Sequence, residues 1–183
     1  IVTNAKRPWV SSCVERFAPN LQPLFDRSTG GLTVVYAGET LPPSEAKAKV
    51  EPNLDPLLRN EERNKHLTAA KLAAMRREAT RFYSRYPQQT WKNILSLGDM
   101  RYEHDAVHEL SFSRKSLPRE RLRTKAILLP RRPSLTEVTL RLQFSRLMLP
   151  AYVRFNGDID LDLRTAPDPL QAIARALGIP QLG

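Results

Sequence analysis

The residues able to do chemistry fall in three short stretches of this chain. Asp99 and Glu103 stand four apart directly after the apolar run 94–97 and Gly98. Hard carboxylates at that spacing can hold Mg²⁺ directly or through water. They can equally cap and charge a helix N-terminus, and both readings stand. His104 and His108 follow one helical turn apart in His-Asp-Ala-Val-His. Two imidazoles at i, i+4 can share a metal ion, but Asp105 replaces the Glu base of the zinc-protease motif and no third ligand is evident. The pair therefore reads as exposed histidines on a short helix. Asp158, Asp160 and Asp162 alternate with Ile159, Leu161 and Leu163. That is the pattern of a half-exposed strand edge or extended tail whose acidic residues discourage further pairing, and its Asp-x-Asp runs are not read as catalytic. Cys13, the single cysteine, sits among apolar residues and reads as a small core side chain.

The elements that must position these groups alternate along the chain. Residues 1–5 and 91–97 are short apolar runs ending in small and polar residues, the form of buried parallel strands that deliver groups to the rim of an α/β sheet. Pro8 suits a helix first turn, and Trp9, Val10, Cys13, Val14 and Phe17 recur at helical spacing. Pro19 and Pro23 should end that helix, a turn is expected at 28–31, and 32–37 reads as the next strand. Residues 38–65, with Pro42, Pro43, Pro52 and Pro56, read as a surface excursion with at most short helical turns. A helix is expected over 66–86 with Leu67, Ala70, Ala74, Met75 and Phe82 inward and Arg76, Arg77, Arg81 and Arg85 outward. A short helix from Gly98-Asp99 to Leu110, a basic linker over 111–123 and a strand over 123–129 follow. Ser134 with Glu137 opens a long amphipathic helix that Pro150 should bend or stop, and 169–177 is a short terminal helix.

Composition narrows the class. The chain has 183 residues, 41% of them hydrophobic, and a mean hydropathy of −0.44, values of a soluble globular protein. No run approaches the ~18 apolar residues of a membrane span. One cysteine excludes an intrachain disulfide and fits an intracellular, reducing compartment or an organelle interior such as a chloroplast or mitochondrion. Lys and Arg exceed Asp and Glu by 29 to 19, a formal charge of +10. Such a field attracts anionic partners: acidic protein surfaces, lipid head groups or nucleic acid. No recognition-helix, RNA-binding or zinc-finger signature accompanies the basic residues, which argues against sequence-specific nucleic-acid reading.

Strand–helix alternation implies a Rossmann-like three-layer α/β fold with a largely parallel sheet. Thr3-Asn4-Ala5, Tyr83-Ser84-Arg85-Tyr86-Pro87, Trp91-Lys92-Asn93 and the strand end Gly98-Asp99 together resemble the haloacid-dehalogenase-like (HAD-like) superfamily. The similarity is greatest to a group frequent in single-celled algae and related protists. It implies a HAD-like domain over 1–155 and a C-terminal extension over 156–183. In active members a Thr at the place of Thr3 binds the transferring phosphoryl oxygens, a helix Lys offsets negative charge, and an acidic pair holds Mg²⁺. Lys71 is the better match to that Lys and Lys65 the poorer, while Asp99 with Glu103 matches the acidic pair. The resemblance also implies that the first strand, with its Asp-x-Asp nucleophile, is missing from this chain.

Two expectations follow. One is a degenerate HAD-like module without catalysis and without a cofactor, an accessory subunit in a larger assembly, contacting partners or anions through Arg114, Lys115, Arg119, Arg121, Arg123, Arg131 and Arg132. The other is a Mg²⁺-dependent phosphatase whose nucleophile motif lies upstream. The first is preferred, because the missing nucleophile is a property of the residues present.

Overall fold

The apolar runs at 1–5 and 91–97 contain strands, Val2–Thr3 and Asn93–Gly98, in the computed structural model, which describes residues 1–26, 31–42, 55–115 and 120–179. The chain forms two compact units, Ile1–Phe82 and Tyr83–Gly183. Every strand pairing among the described residues is parallel, so the protein is of the α/β class. The strands of the described residues form two sheets, of two and three strands.

In the first unit β1 (Val2–Thr3) pairs with β2 (Val35–Tyr36), and α1 (Trp9–Phe17) lies between them in sequence, which makes the expected βαβ unit. Pro19 and Pro23 do end the α-helix, and the chain continues as a 3₁₀ segment over Pro19–Phe25. The expected apolar face of α1 is only partly covered: Trp9 is 62% and Phe17 75% exposed, and Cys13 is half-buried. Most of the turn expected at 28–31 lies outside the described residues. The long helix α2 (Pro56–Tyr83) corrects the sequence reading, which left 56–65 in a surface excursion. Its start is explained by Asp55, whose Oδ1 accepts from the Leu57 N–H at 2.8 Å while Pro56 occupies the first turn. Ala70 and Ala74 pack with Val35, Ala37 and Leu41 in a small core. Phe82, expected inward, is exposed.

The second unit runs β3 (Asn93–Gly98), α3 (Arg101–Phe112), β4 (Arg123–Leu128), α4 (Leu135–Arg154), β5 (Ile159–Asp162) and α5 (Pro169–Ala176). Its sheet has the order β3-β4-β5, with β5 at an edge. Residues 156–179, read above as a C-terminal extension, thus supply β5 and α5 to this unit. Ser134 Oγ caps α4 by accepting from the Glu137 N–H at 3.2 Å. Pro150 does not stop α4, which continues to Arg154. A proline in a helix interior costs ~3 kcal/mol. Tyr152, fully buried beyond it, is a core anchor of at least that size.

Alternation along β4 and β5 sorts the two faces. Ile127, Ile159, Leu161 and Leu163 join Tyr152 of α4 and Ile173 of α5 in one core. The intervening residues lie on the opposite face, and α3 packs on β3 and β4 through buried Ala106, Val107 and Leu110.

Candidate functional site

Lys71 is neither solvated nor facing an open site. It is 2% exposed, and its ammonium donates to the Val2 carbonyl, which ties α2 to β1. Thr3 Oγ1 accepts from the Ala5 N–H at 3.1 Å, a local turn at the strand end. Asn4 Nδ2 is buried there without a hydrogen-bond partner among the described residues. Lys65, the poorer candidate, pairs with Glu61 and Glu62 on the exposed side of α2.

Asp99 and Glu103 belong to the second unit, at the junction of β3 and α3. Glu103 Oε2 accepts from the backbone N–H of Asp99 at 3.1 Å and of Met100 at 3.4 Å. A third-position Glu reaching back this way satisfies N–H groups that the helix itself leaves open, and its charge suits the positive helix end. Gly98 makes room for it: a Cβ there would lie 2.1 Å from Glu103 Oε2. Asp99 is exposed beside it.

The basic residues separate into several environments. Arg114 stacks over Trp91 with its guanidinium carbon 3.6 Å from the ring centroid, and pairs with Glu120 at 2.6 Å. Trp91 in turn stacks on Tyr83, with centroids 5.6 Å apart. The Tyr83 hydroxyl accepts from the Lys92 and Asn93 N–H groups at 2.9 and 3.2 Å. The distinctive residues Tyr83, Trp91 and Asn93 therefore form a latch at the entry to β3. Lys125 lies in β4, almost fully buried, and donates to Asn93 Oδ1. Burial pushes its pKa down, and the Arg123 charge adds to this. Arg123 donates to Asn156 Oδ1 at 2.7 Å. Lys115, Arg121, Arg131 and Arg132 are exposed, and Arg119 lies outside the described residues.

The constellation that sequence reasoning missed is on the α3 face of the sheet. His104 Nε2 lies 2.6 Å from Asp160 Oδ1, and His108 Nε2 lies 3.4 Å from Asp160 Oδ2. The imidazole centroids are 4.4 Å apart. Asp160 is placed there by register: it sits beside Ala126 of β4, whose methyl leaves space under α3. The neighbouring aspartates serve elsewhere. Asp158 Oδ1 accepts from the Thr124 N–H at 2.7 Å. Asp162 pairs with Arg164 at 2.6 Å, and that hydrogen bond holds its carboxyl down at about 2. The His-x-x-x-His spacing was the signal for this cluster. Its third member is 52 residues beyond His108 and reachable only through β4–β5 pairing.

The site thus holds two imidazoles and a shared carboxylate, with Glu103 nearby in sequence engaged as a cap. No family model matches the chain, and no curated protein or solved structure matches it.

Proposed function

We propose that this chain is a degenerate HAD-like module, a Rossmann-like α/β fold kept as a structural or binding subunit of a larger assembly and not as a catalyst. The observation that carries this reading is the outer face of α4. Leu135, Leu142 and Leu149 recur at heptad spacing with Val153 one turn on, and all four are exposed, while Phe144, Met148 and Tyr152 of the same helix lie in or against the core. An apolar stripe of this length on a helix whose other face is already satisfied is the form of a seam for a partner helix or groove. Arg131 and Arg132 before α4, with exposed Arg146 and Arg154 on it, favour a partner of acidic character. Two groups that a phosphohydrolase of that superfamily uses are engaged with backbone instead, Lys71 on the Val2 carbonyl and Glu103 on two N–H groups.

The test is gentle native-gel fractionation of the protein from its source, with mass spectrometry of what co-migrates, and a Mg²⁺-dependent p-nitrophenyl phosphate assay on the same fractions. A chain held in a large assembly with no hydrolysis attributable to it supports the proposal. A free chain that hydrolyses the ester, and loses activity on Asp99→Ala or Lys71→Ala, overturns it in favour of the phosphatase.

A further inference from the structure

We infer that His104, His108 and Asp160 form a Zn²⁺ site, with a fourth coordination position left for water. Their candidate ligand atoms all lie within 4.8 Å of one another. Two further observations separate this trio from an ordinary histidine–carboxylate contact. The first concerns the far side of His104. Its Nδ1 lies 3.3 Å from Asp105 Oδ1, while Nε2 faces Asp160. A carboxylate on one ring nitrogen keeps the proton there and turns the lone pair of the other toward the cluster, which is the arrangement that orients and strengthens metal-bound imidazoles.

The second concerns His108. Its ring side chain is 40% exposed, yet its Nε2 is buried and makes no hydrogen bond among the described residues. The 3.4 Å approach to Asp160 Oδ2 is an ion-pair distance without hydrogen-bond geometry. A buried ring nitrogen left unpaired is costly unless something else uses its lone pair. A cation between His108, His104 and Asp160 does so.

The donor set selects the metal. Two imidazoles with one carboxylate suit Zn²⁺, whereas Mg²⁺ and Ca²⁺ prefer oxygen donors. In a tetrahedral site with bonds of ~2.0–2.1 Å the ligand atoms stand ~3.3 Å apart, so Asp160 Oδ1 must draw back from His104 Nε2 by less than ~1 Å as the ion enters between them. The Asp160 side chain is 60% exposed and at the sheet edge, so this movement meets little resistance. The same exposure keeps the fourth position on the solvent side.

The test uses the full chain, stripped with a chelator and dialysed against ZnCl₂ in excess MgCl₂, with zinc counted by plasma mass spectrometry and affinity measured against a chromogenic chelator. One zinc per chain is expected. His108→Gln and Asp160→Asn should each weaken binding at least ~10-fold, and Asp105→Asn, acting through His104, by up to ~10-fold. His66→Gln, on α2, should change nothing. Co²⁺ in place of zinc should give the visible absorption of a tetrahedral site in the parent and lose it in His108→Gln, with far-UV circular dichroism unchanged. Zinc no higher than the stripped background in the parent, or affinity unaltered in both ligand variants, overturns the site.

Discussion

The two units of this protein use the same βαβ grammar with unequal results. In the first, strands of two residues and the segment that follows β2 bury Val35, Ala37 and Leu41 against Ala70 and Ala74. In the second, strands of four to six residues bury Ile127, Ile159, Leu161 and Leu163 against Tyr152 and Ile173. A buried large apolar side chain contributes about 1.5–3 kcal/mol and an alanine methyl much less, so the second core is the stronger per residue. The first unit compensates with polar ties: Lys71 to the Val2 carbonyl, the Tyr36 hydroxyl accepting from the Val10 N–H at 3.2 Å, and Thr40 donating to the Ala37 carbonyl at 2.6 Å. The comparison teaches that a parallel pair needs length before its faces can carry a core.

Each unit has its own tryptophan, exposed Trp9 in the first and buried Trp91 in the second, so the contrast can be broken or sharpened by urea unfolding. The largest effect is expected for Tyr152→Ala, a loss of about 3–5 kcal/mol read from Trp91 fluorescence in a Trp9→Phe background. Leu41→Ala in the first unit should cost about 2 kcal/mol, the low end of such truncations, because small residues surround it. An equal or greater loss at Leu41 would erase the difference between the cores.

Next in size is a pair of ion-pair variants. Glu120→Gln leaves the stacked Arg114 guanidinium without its counter-charge in a site where the Glu120 side chain is 0% exposed. That should cost about 3 kcal/mol. Glu39→Gln breaks the Arg7–Glu39 bridge, whose side chains are 64% and 48% exposed. That should cost less than about 1 kcal/mol by the same measurement. Comparable losses would mean that burial does not set the worth of these pairs.

Gly98→Ala should come third, at about 1–2 kcal/mol, because the new methyl displaces Glu103 from the cap of α3. Glu103→Gln, which keeps the acceptor, should cost less. If Gly98→Ala proves neutral, the cap has another acceptor within reach.

The smallest effect is on acid stability. Arg164 holds the folded Asp162 at about 2, below its ordinary 3.8. The ionised form is thus favoured in the fold. Its stabilisation is complete above the ordinary value and is lost as pH falls from there through about 2. Solvent at the Asp162 side chain screens the pair and keeps the effect under about 1 kcal/mol. Asp162→Asn should lower stability near neutrality by that amount and flatten the profile over the acid window, so that variant and parent converge as pH falls through about 2.

Much of the second unit could be read from the chain because its signals are local. The strand at 93–98, the Ser134 cap and the Asp158–Leu163 alternation each depend on residues a few positions apart. The readings that failed share a different cause. The start of α2 hung on Asp55-Pro56, a cap signature hidden among prolines that elsewhere mark loops. Periodicity alone turns Phe82 inward, and periodicity does not say whether anything lies opposite. Of the bend or stop that Pro150 signals, the stop fails because the competing burial of Tyr152 depends on strands far from it in sequence.

What local order in the chain established is therefore the element sequence, the parallel α/β class and the basic surface, since propensity, periodicity and charge act within a few residues or over the whole molecule. Only folding decided which polar groups meet. Lys71 reached the Val2 carbonyl across 69 residues, Arg114 found Trp91, and Asp160 came to rest against His104 and His108. Such meetings follow from strand order and register, which are set by the burial of whole faces, and no short window of sequence carries that information.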